Sequence, residues 1–160
     1  MRIGQGIDVH AFGPGNHVML CGIRIEHNRG LEAHSDGDVA LHALMDAMLG
    51  ALGLGDIGEH FPPADPRYAG ADSGELLKHV HQLIEQKGYQ LSNMDMTILC
   101  EEPKILPHRA NMIKMLGQLL KVNPNKLSVK ATTTEKLGFT GRREGIAASV
   151  VLLLEQITPG

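Results

Sequence analysis

Ile3-Gly4-Gln5-Gly6-Ile7-Asp8-Val9-His10 is the stretch on which the fold turns. Ile3, Ile7 and Val9 share one parity, and Gly4, Gly6, Asp8 and His10 share the other. Side chains of an extended chain alternate between two faces, so the stretch reads as a β-strand with Asp8 and His10 side by side on its polar face. Downstream, Val18-Met19-Leu20 and Ile23-Arg24-Ile25 flank Cys21-Gly22, a hairpin signal. Ser35 can cap a helix that runs to near Gly50, with Asp38 three residues on in capping-box spacing. A second helix starts near Asp72-Ser73, carries Leu76, Leu77, Val80, Leu83 and Ile84 as its apolar stripe, and ends at Gly88. Positions 89–100 read as a strand with Met94, Met96, Ile98 and Cys100 in step. Pro107 opens a third helix, where Met112, Met115, Leu116, Leu119 and Leu120 recur at helical spacing as core filler.

Positions 127–132 and 145–157 read as two more strands. The second is apolar on both faces at positions 150–154, which places it centrally in the sheet. Strands alternate with helices, yet two strands end the chain. The expectation is one α+β domain over residues 1–160: a mixed four-stranded sheet with helices packed on one face, plus a small hairpin. Residues 59–70, with Pro62, Pro63 and Pro66, form the one long loop, a lid or binding loop rather than a linker.

Composition narrows the function. The 160 residues are 42% hydrophobic and 21% charged, enough to bury a core without disulfides. A net charge of −3 argues against non-specific binding to nucleic acid or anionic membrane, and 3% aromatics with no Trp argue against base-stacking platforms. Cys21 and Cys100 stand far apart without C-x-x-C spacing, which suits a reducing cytosol rather than a zinc knuckle or a disulfide framework. The first six residues hold no signal-peptide core, and the longest apolar stretch, 146–154, is too short for a membrane helix. A cytoplasmic chain is expected, with no nucleic-acid or membrane partner. Histidine is the unusual count: nine, against three Phe and two Tyr. It is both a common metal ligand and a common acid/base.

Asp8 and His10 put a carboxylate and an imidazole on one strand face, and a third ligand would complete an open three-ligand zinc site. His42 is the candidate, with Asp38 and Asp46 one turn away on either side to hold its second ring nitrogen. The plain alternative is that His10 ends a strand and His42 fills a helix. His34-Ser35-Asp36-Gly37-Asp38 leads into that helix, where backbone N–H groups favour an anion that His34 can face. Asp38 reads first as a cap, and Asp36-Gly37-Asp38 lacks the remaining positions of a calcium loop. The run from Thr132 through Thr133, Thr134 and Glu135 to Arg142 follows a strand end. Its hydroxyls, glycines and cations suit a phosphate, and Glu135 suits Mg²⁺, although no Walker loop is present. Such loops are also often only turns. His79 and His81 read as solvated; His17, His27, His60 and His108 have no partner in spacing.

Asp8-Val9-His10, His34 to His42, Gly55-Asp56-Ile57-Gly58, Pro103-Lys104, and Lys130 to Phe139 occur in this order. Together, and over essentially the whole length, the chain resembles the 2-C-methyl-D-erythritol 2,4-cyclodiphosphate synthases of non-mevalonate isoprenoid biosynthesis. The resemblance implies a homotrimer with active sites between subunits. It implies Zn²⁺ on Asp8, His10 and His42, and Mg²⁺ or Mn²⁺ on Glu135 and the substrate diphosphate. His34, Ser35, Asp56, Ile57, Gly58, Phe61, Pro62, Pro63, Ala64 and Asp65 would surround the methylerythritol phosphate. Cys100, Glu101, Glu102, Pro103, Lys104, Ile105 and Leu106, with Ala131, Thr132 and Thr133 from the neighbouring subunit, would hold the cytidine diphosphate part; Thr134, Glu135 and Phe139 belong to the same substrate set. Arg142 would contact phosphate near the trimer axis. Two features depart from the pattern: Arg143 stands where a small residue, usually Gly, is expected, and Glu101-Glu102 add negative charge beside the nucleotide loop.

The implied reaction yields the cyclic diphosphate and CMP. The attacker is the substrate's own 2-phosphate oxygen, largely ionised at neutral pH because a phosphate monoester's second pKa is about 6. No protein nucleophile is needed, in keeping with the lack of a Ser-His-Asp or Cys-His unit. His34 and Thr133 would donate to the developing charge beside the two metals, as the catalytic pair. Two other readings stay open: a zinc phosphohydrolase that activates water, and a non-catalytic trimeric module for nucleotides or prenyl phosphates.

Overall fold

Alternation of side chains over the first dozen residues becomes strand β1 (Arg2–Gly13) in a computed structural model that describes residues 1–158. There follow β2 (His17–Leu20), β3 (Ile23–Glu26), β4 (Gly30–Leu31), α1 (Val39–Ala51) and α2 (Ile57–His60). Then come α3 (Ser73–Gln86), β5 (Tyr89–Leu99), α4 (Arg109–Leu120), β6 (Leu127–Thr132), α5 (Gly138–Gly141) and β7 (Gly145–Gln156). The main sheet has the order β4-β1-β7-β5-β6. β7 runs antiparallel to both β1 and β5, and β6 runs parallel to β5, so the sheet is mixed and β7 is central. The four expected strands are joined by a fifth, β4, which pairs two residues with the end of β1. Two residues carry no hydrophobic period, so nothing in the pattern announces them.

The hairpin β2–β3 turns at Cys21 and Gly22, with φ of 53° and 75°. Two consecutive left-handed residues make the twist-matched two-residue turn. Asp38 fastens it to the core. Its Oδ1 accepts the N–H groups of Cys21 and Leu41, each at 3.0 Å, and its Oδ2 accepts that of Gly22 at 2.7 Å. Asp38, not Ser35, is thus the cap of α1, which starts at Val39. Full burial pushes its carboxyl up to about 6 despite these three donors.

Helices cover one face of the sheet, and α1 lies closest. A methyl group at Gly6 would sit 1.9 Å from the carbonyl oxygen of Ala43, and one at Gly4 as close to that of Ala47. The strand parity that reads as polar is therefore the covered one, and Asp8 and His10 continue it under the first turns of α1. Ile3, Ile7 and Val9 point the other way, and with Val151 they are 43–69% exposed in the single chain. The two-sided apolarity of β7 is covered by helices on one side only.

Three further details depart from the pattern. The loop at 59–70 is shortened by α2 and by a 3-10 turn over Pro66–Tyr68. A 3-10 turn over Leu106–His108 precedes the third long helix, which begins at Arg109. His81 is buried rather than solvated, because it lies four residues after Leu77 and three before Ile84 on the inward face of α3; burial pushes its pKa down. His79 is exposed.

Replacing Gly6 by Ala forces a side chain into the backbone of α1 and is expected to cost more than about 3 kcal/mol, beyond ordinary overpacking. Denaturant unfolding measures it; a loss below 1 kcal/mol would show that α1 can lift off β1 at little cost.

Candidate metal centre and the cleft beside it

Asp8 and His10, two apart on β1, meet His42 from the first turn of α1. His10 Nε2 lies 2.7 Å from Asp8 Oδ2 and 3.2 Å from His42 Nδ1, and His42 Nδ1 lies 3.2 Å from Asp8 Oδ2. A tetrahedral zinc ion with bonds near 2.0–2.1 Å spaces its ligands about 3.3 Å apart. Two sides of the triangle match that spacing and the third is shorter. Among the described residues this is the one group of three or more such side chains that could hold a metal ion.

The remaining nitrogens are held so that lone pairs face inward. His10 Nδ1 donates to the carbonyl of Glu32 at 2.9 Å. His42 Nε2 faces two hydroxyls, Ser73 Oγ at 3.0 Å and Ser35 Oγ at 3.1 Å. Ser73 is fully buried, and both its hydroxyl and its N–H donate to the Asp36 carboxylate. A hydroxyl that donates to Asp36 is free to accept from His42 Nε2–H, which leaves Nδ1 as the bare donor atom. Neither expected carboxylate does this work: Asp38 caps α1, and Asp46 accepts the N–H of Ile57 at 2.8 Å. Burial works to raise the Asp8 pKa, but hydrogen bonds and charge from His10 and His42 outweigh it and hold it at about 2. Burial works to lower that of His10, and Asp8 outweighs it, so the net shift is upward. A carboxylate ionised at neutral pH with two oriented imidazoles is the chemistry of a borderline cation site.

The centre opens on a cleft of about 600 Å³ lined by His34, Ser35, Ile57, Gly58, Phe61 and Pro63 from the expected set. Tyr68 and Leu76 line it too and were not anticipated; Tyr68 packs edge-on to Phe61 at 5.2 Å. Other expected residues have local tasks. Asp56 caps α2 through the N–H of Glu59, and Asp65 is paired with Arg67. Pro62 and Ala64 are exposed in the loop.

A second group gathers where β5 and β6 end together. Leu99 pairs with Thr132, and the N–H of Cys100 donates to the Thr132 carbonyl at 3.1 Å. Loops 100–106 and 133–137 therefore leave side by side, with Glu101 accepting the N–H of Lys136 at 3.2 Å. Glu135 and Lys136 are both left-handed, with φ of 54° and 63°, and Glu135 and Thr133 are exposed. Cys100 and Ile105 are buried, and burial pushes the Cys100 thiol up to about 11, so it is no nucleophile. Arg142 is paired with Glu144. β7 and β5 separate β6 from β1, a span of about 14 Å at normal strand spacing. Glu135, Thr133 and Lys104 are thus not gathered with Asp8, His10 and His42 in one chain.

Residues 1–155 match the YgbB family. The chain belongs to the YgbB family. A 2-C-methyl-D-erythritol 2,4-cyclodiphosphate synthase of Acinetobacter baumannii is 59% identical over 154 residues, 96% of each chain. Among solved structures, the bifunctional IspDF from Campylobacter jejuni superposes with a TM-score of 0.93 at 42% identity; it covers 97% of this chain, which spans only 42% of that longer protein. The IspF of Plasmodium falciparum in complex with CDP superposes at 0.87 and 35% identity, over 98% of this chain and 97% of its own.

Ser73 is the neighbour that spacing alone could not disclose in this YgbB chain, because it reaches His42 from α3, where Asp36, in the turn before α1, orients it. Ser73→Ala is expected to weaken metal binding about tenfold while the fold persists. Competition with a chelator, alongside a thermal melt, measures this; unchanged affinity would remove the hydroxyl from the design of the site.

Proposed function

We infer that the chain converts 4-diphosphocytidyl-2-C-methyl-D-erythritol 2-phosphate into 2-C-methyl-D-erythritol 2,4-cyclodiphosphate and CMP. What carries this reading is the inward-facing Asp8–His10–His42 triangle at the mouth of the cleft, in a chain 59% identical to such synthases over nearly its full length. Asp8, His10 and His42 would hold Zn²⁺, which suits a mixed imidazole and carboxylate set. Glu135, a hard and exposed oxygen donor, would hold Mg²⁺ or Mn²⁺ with the substrate's phosphates. Bound there, the ions supply positive charge that offsets the repulsion between two phosphate anions.

The chain's own part is to bind, orient and exclude. The substrate's 2-phosphate oxygen forms the new bond to the β-phosphorus, the bond from that phosphorus to the CMP oxygen breaks, and CMP takes the electron pair. His34, beside the cleft, and Thr133, on the far loop, donate to the equatorial oxygens as charge builds. The apolar wall of Phe61, Tyr68 and Leu76 keeps water from competing with the internal phosphate. Loop backbone around residues 100–106 and Ala131, with Lys104, receives the cytidine diphosphate part.

Half of this site lies at one side of the sheet and half at the other, so a neighbouring copy completes it. The homotrimer is the arrangement proposed, and the exposed apolar parity of Ile3, Ile7, Val9 and Val151 supports burial against further copies. Free, buried Cys21 and Cys100 fit a reducing cytoplasm.

Phosphorus NMR of the product from the cytidyl substrate tests the reaction: a cyclic diphosphate plus CMP is expected. A linear product carrying oxygen from labelled water would make the chain a phosphohydrolase instead. His42→Ala should lose bound zinc and cut CMP release by about 100-fold or more; full activity in zinc-free protein would defeat the reading. Sedimentation should give three times the 17.3 kDa chain mass, and a stable active monomer would exclude the shared site.

A further inference from the structure

Two acidic side chains stand at the start of loop 100–106, beside the place proposed for a diphosphate. Unpaired, they would repel it. Both are engaged within the chain: Glu101 holds the backbone of Lys136, and Glu102 faces a compact group of cations and donors. Arg29, between β3 and β4, is the centre of that group. Its Nη2 donates to Glu102 Oε1 at 3.3 Å and to the carbonyl of Arg143 at 2.9 Å. Its guanidinium lies over the ring of Phe12 at 4.3 Å, on the last turnings of β1. His27 stacks on Phe12 with ring centroids 5.1 Å apart and 15° between planes, and its Nε2 lies 3.2 Å from the same Glu102 oxygen. Arg143 Nε stands 3.8 Å from the other oxygen of Glu102.

We propose that Arg29 is a positioning residue that clamps loop 100–106 and the turn at 142–144 onto the end of β1, presetting the nucleotide loop. The proposal rests on the reading above that this loop receives the cytidine diphosphate part. Its physical basis is threefold. The planar guanidinium lays its face on the Phe12 ring while its edge donates to two acceptors; a lysine ammonium has donors enough but no flat face to stack. The positive charges of Arg29 and Arg143 offset Glu102 next to an anionic ligand. A loop fixed in advance loses less freedom when ligand binds, so the benefit falls on affinity rather than on the chemical step. Arg143 fits the same scheme. It stands at φ 59°, a conformation that favours glycine, and its carbonyl is tied down by Arg29. Glu102 thereby acts as an anchor, and the loop backbone and Lys104 are left for the ligand.

Calorimetric titration with CDP and steady-state kinetics on the intact assembly test this, with zinc content and melting temperature recorded for each variant. Arg29→Ala should raise the Kd for CDP and the KM for the cytidyl substrate about three- to tenfold, with kcat and zinc content held. Arg29→Lys should recover only part of the loss. Adding Glu102→Gln to Arg29→Ala should cost less than the two single effects multiplied, because each breaks the same clamp. The proposal is overturned if Arg29→Ala binds CDP like the wild type, if kcat and zinc fall together with affinity, or if the two substitutions act independently. A wild-type protein that binds no CDP at all would overturn the functional reading itself, and the clamp with it.

Discussion

Everything in this molecule is referred to the contact between the backbone of α1 and the glycine face of β1. Gly4 and Gly6 let the helix settle until its carbonyls would touch a β-carbon at 1.9 Å, nearer than any other residue type allows. That distance places the first turn of α1 directly above Asp8 and His10. His42 can then reach both ligand atoms within 3.2 Å without leaving the helix. A wider separation, as Val or Ile side chains in place of Gly4 and Gly6 would impose, would carry His42 away from the strand and open the triangle. The same approach gives up side-chain burial on the covered parity of β1. The apolar residues of that strand are displaced to the other face.

The centre also depends on α3, which has no ligand of its own. Ser73 sits at the first residue of that helix with Asp36 behind it, and together they fix which nitrogen of His42 carries the proton. Polar groups in so dry a place are costly unless each finds a partner, and no buried side-chain nitrogen or oxygen among the described residues lacks one. Asp38 obeys the same rule on the far side of α1, where one carboxylate serves a helix cap and a hairpin turn. The helix start is therefore specified from both sides, by Asp38 for its backbone and by Ser73 for its histidine.

Periodicity read the long elements well because burial enforces it: the stripes on α3 and α4, the in-step Met94, Met96 and Ile98 of β5, and the central β7 all follow from it. It failed where residues are few or partners are remote. β4 has two residues; Ser35 and Asp38 both satisfy a capping pattern, and only tertiary contacts with the hairpin decide between them. His81 reads as solvated from its polarity, although Leu77 and Ile84, four before and three after it, already place it on the inward face of α3. The D-x-H pair was legible because two residues on one strand share a face by geometry alone, whereas the hydroxyl partners of His42 come from 31 positions away or across a turn. The parity of β1 was the deepest ambiguity. Glycine looks polar in a hydropathy pattern and behaves, under a helix, as the most buried residue of all.

That ambiguity bears on assembly. A sheet with helices on one face and Ile3, Ile7, Val9 and Val151 on the other has apolar surface that one chain does not cover. The ligand triangle opens at the β1 side, and the threonine-rich loop leaves from β6, the third strand along, with β7 and β5 between. A ligand carrying a sugar phosphate and a nucleotide needs both chemistries within its own length. Folding one chain more tightly cannot supply this, since the strand order sets the separation at about 14 Å. The proposed homotrimer would: rotation about an axis would bring the β6 side of one copy to the β1 side of the next and turn the uncovered faces inward. The Arg29 clamp belongs to the same logic. It ties the nucleotide loop to the end of β1 within one chain, so that in the proposed homotrimer a loop serving a neighbour's metal centre would be held by the strand that carries its own.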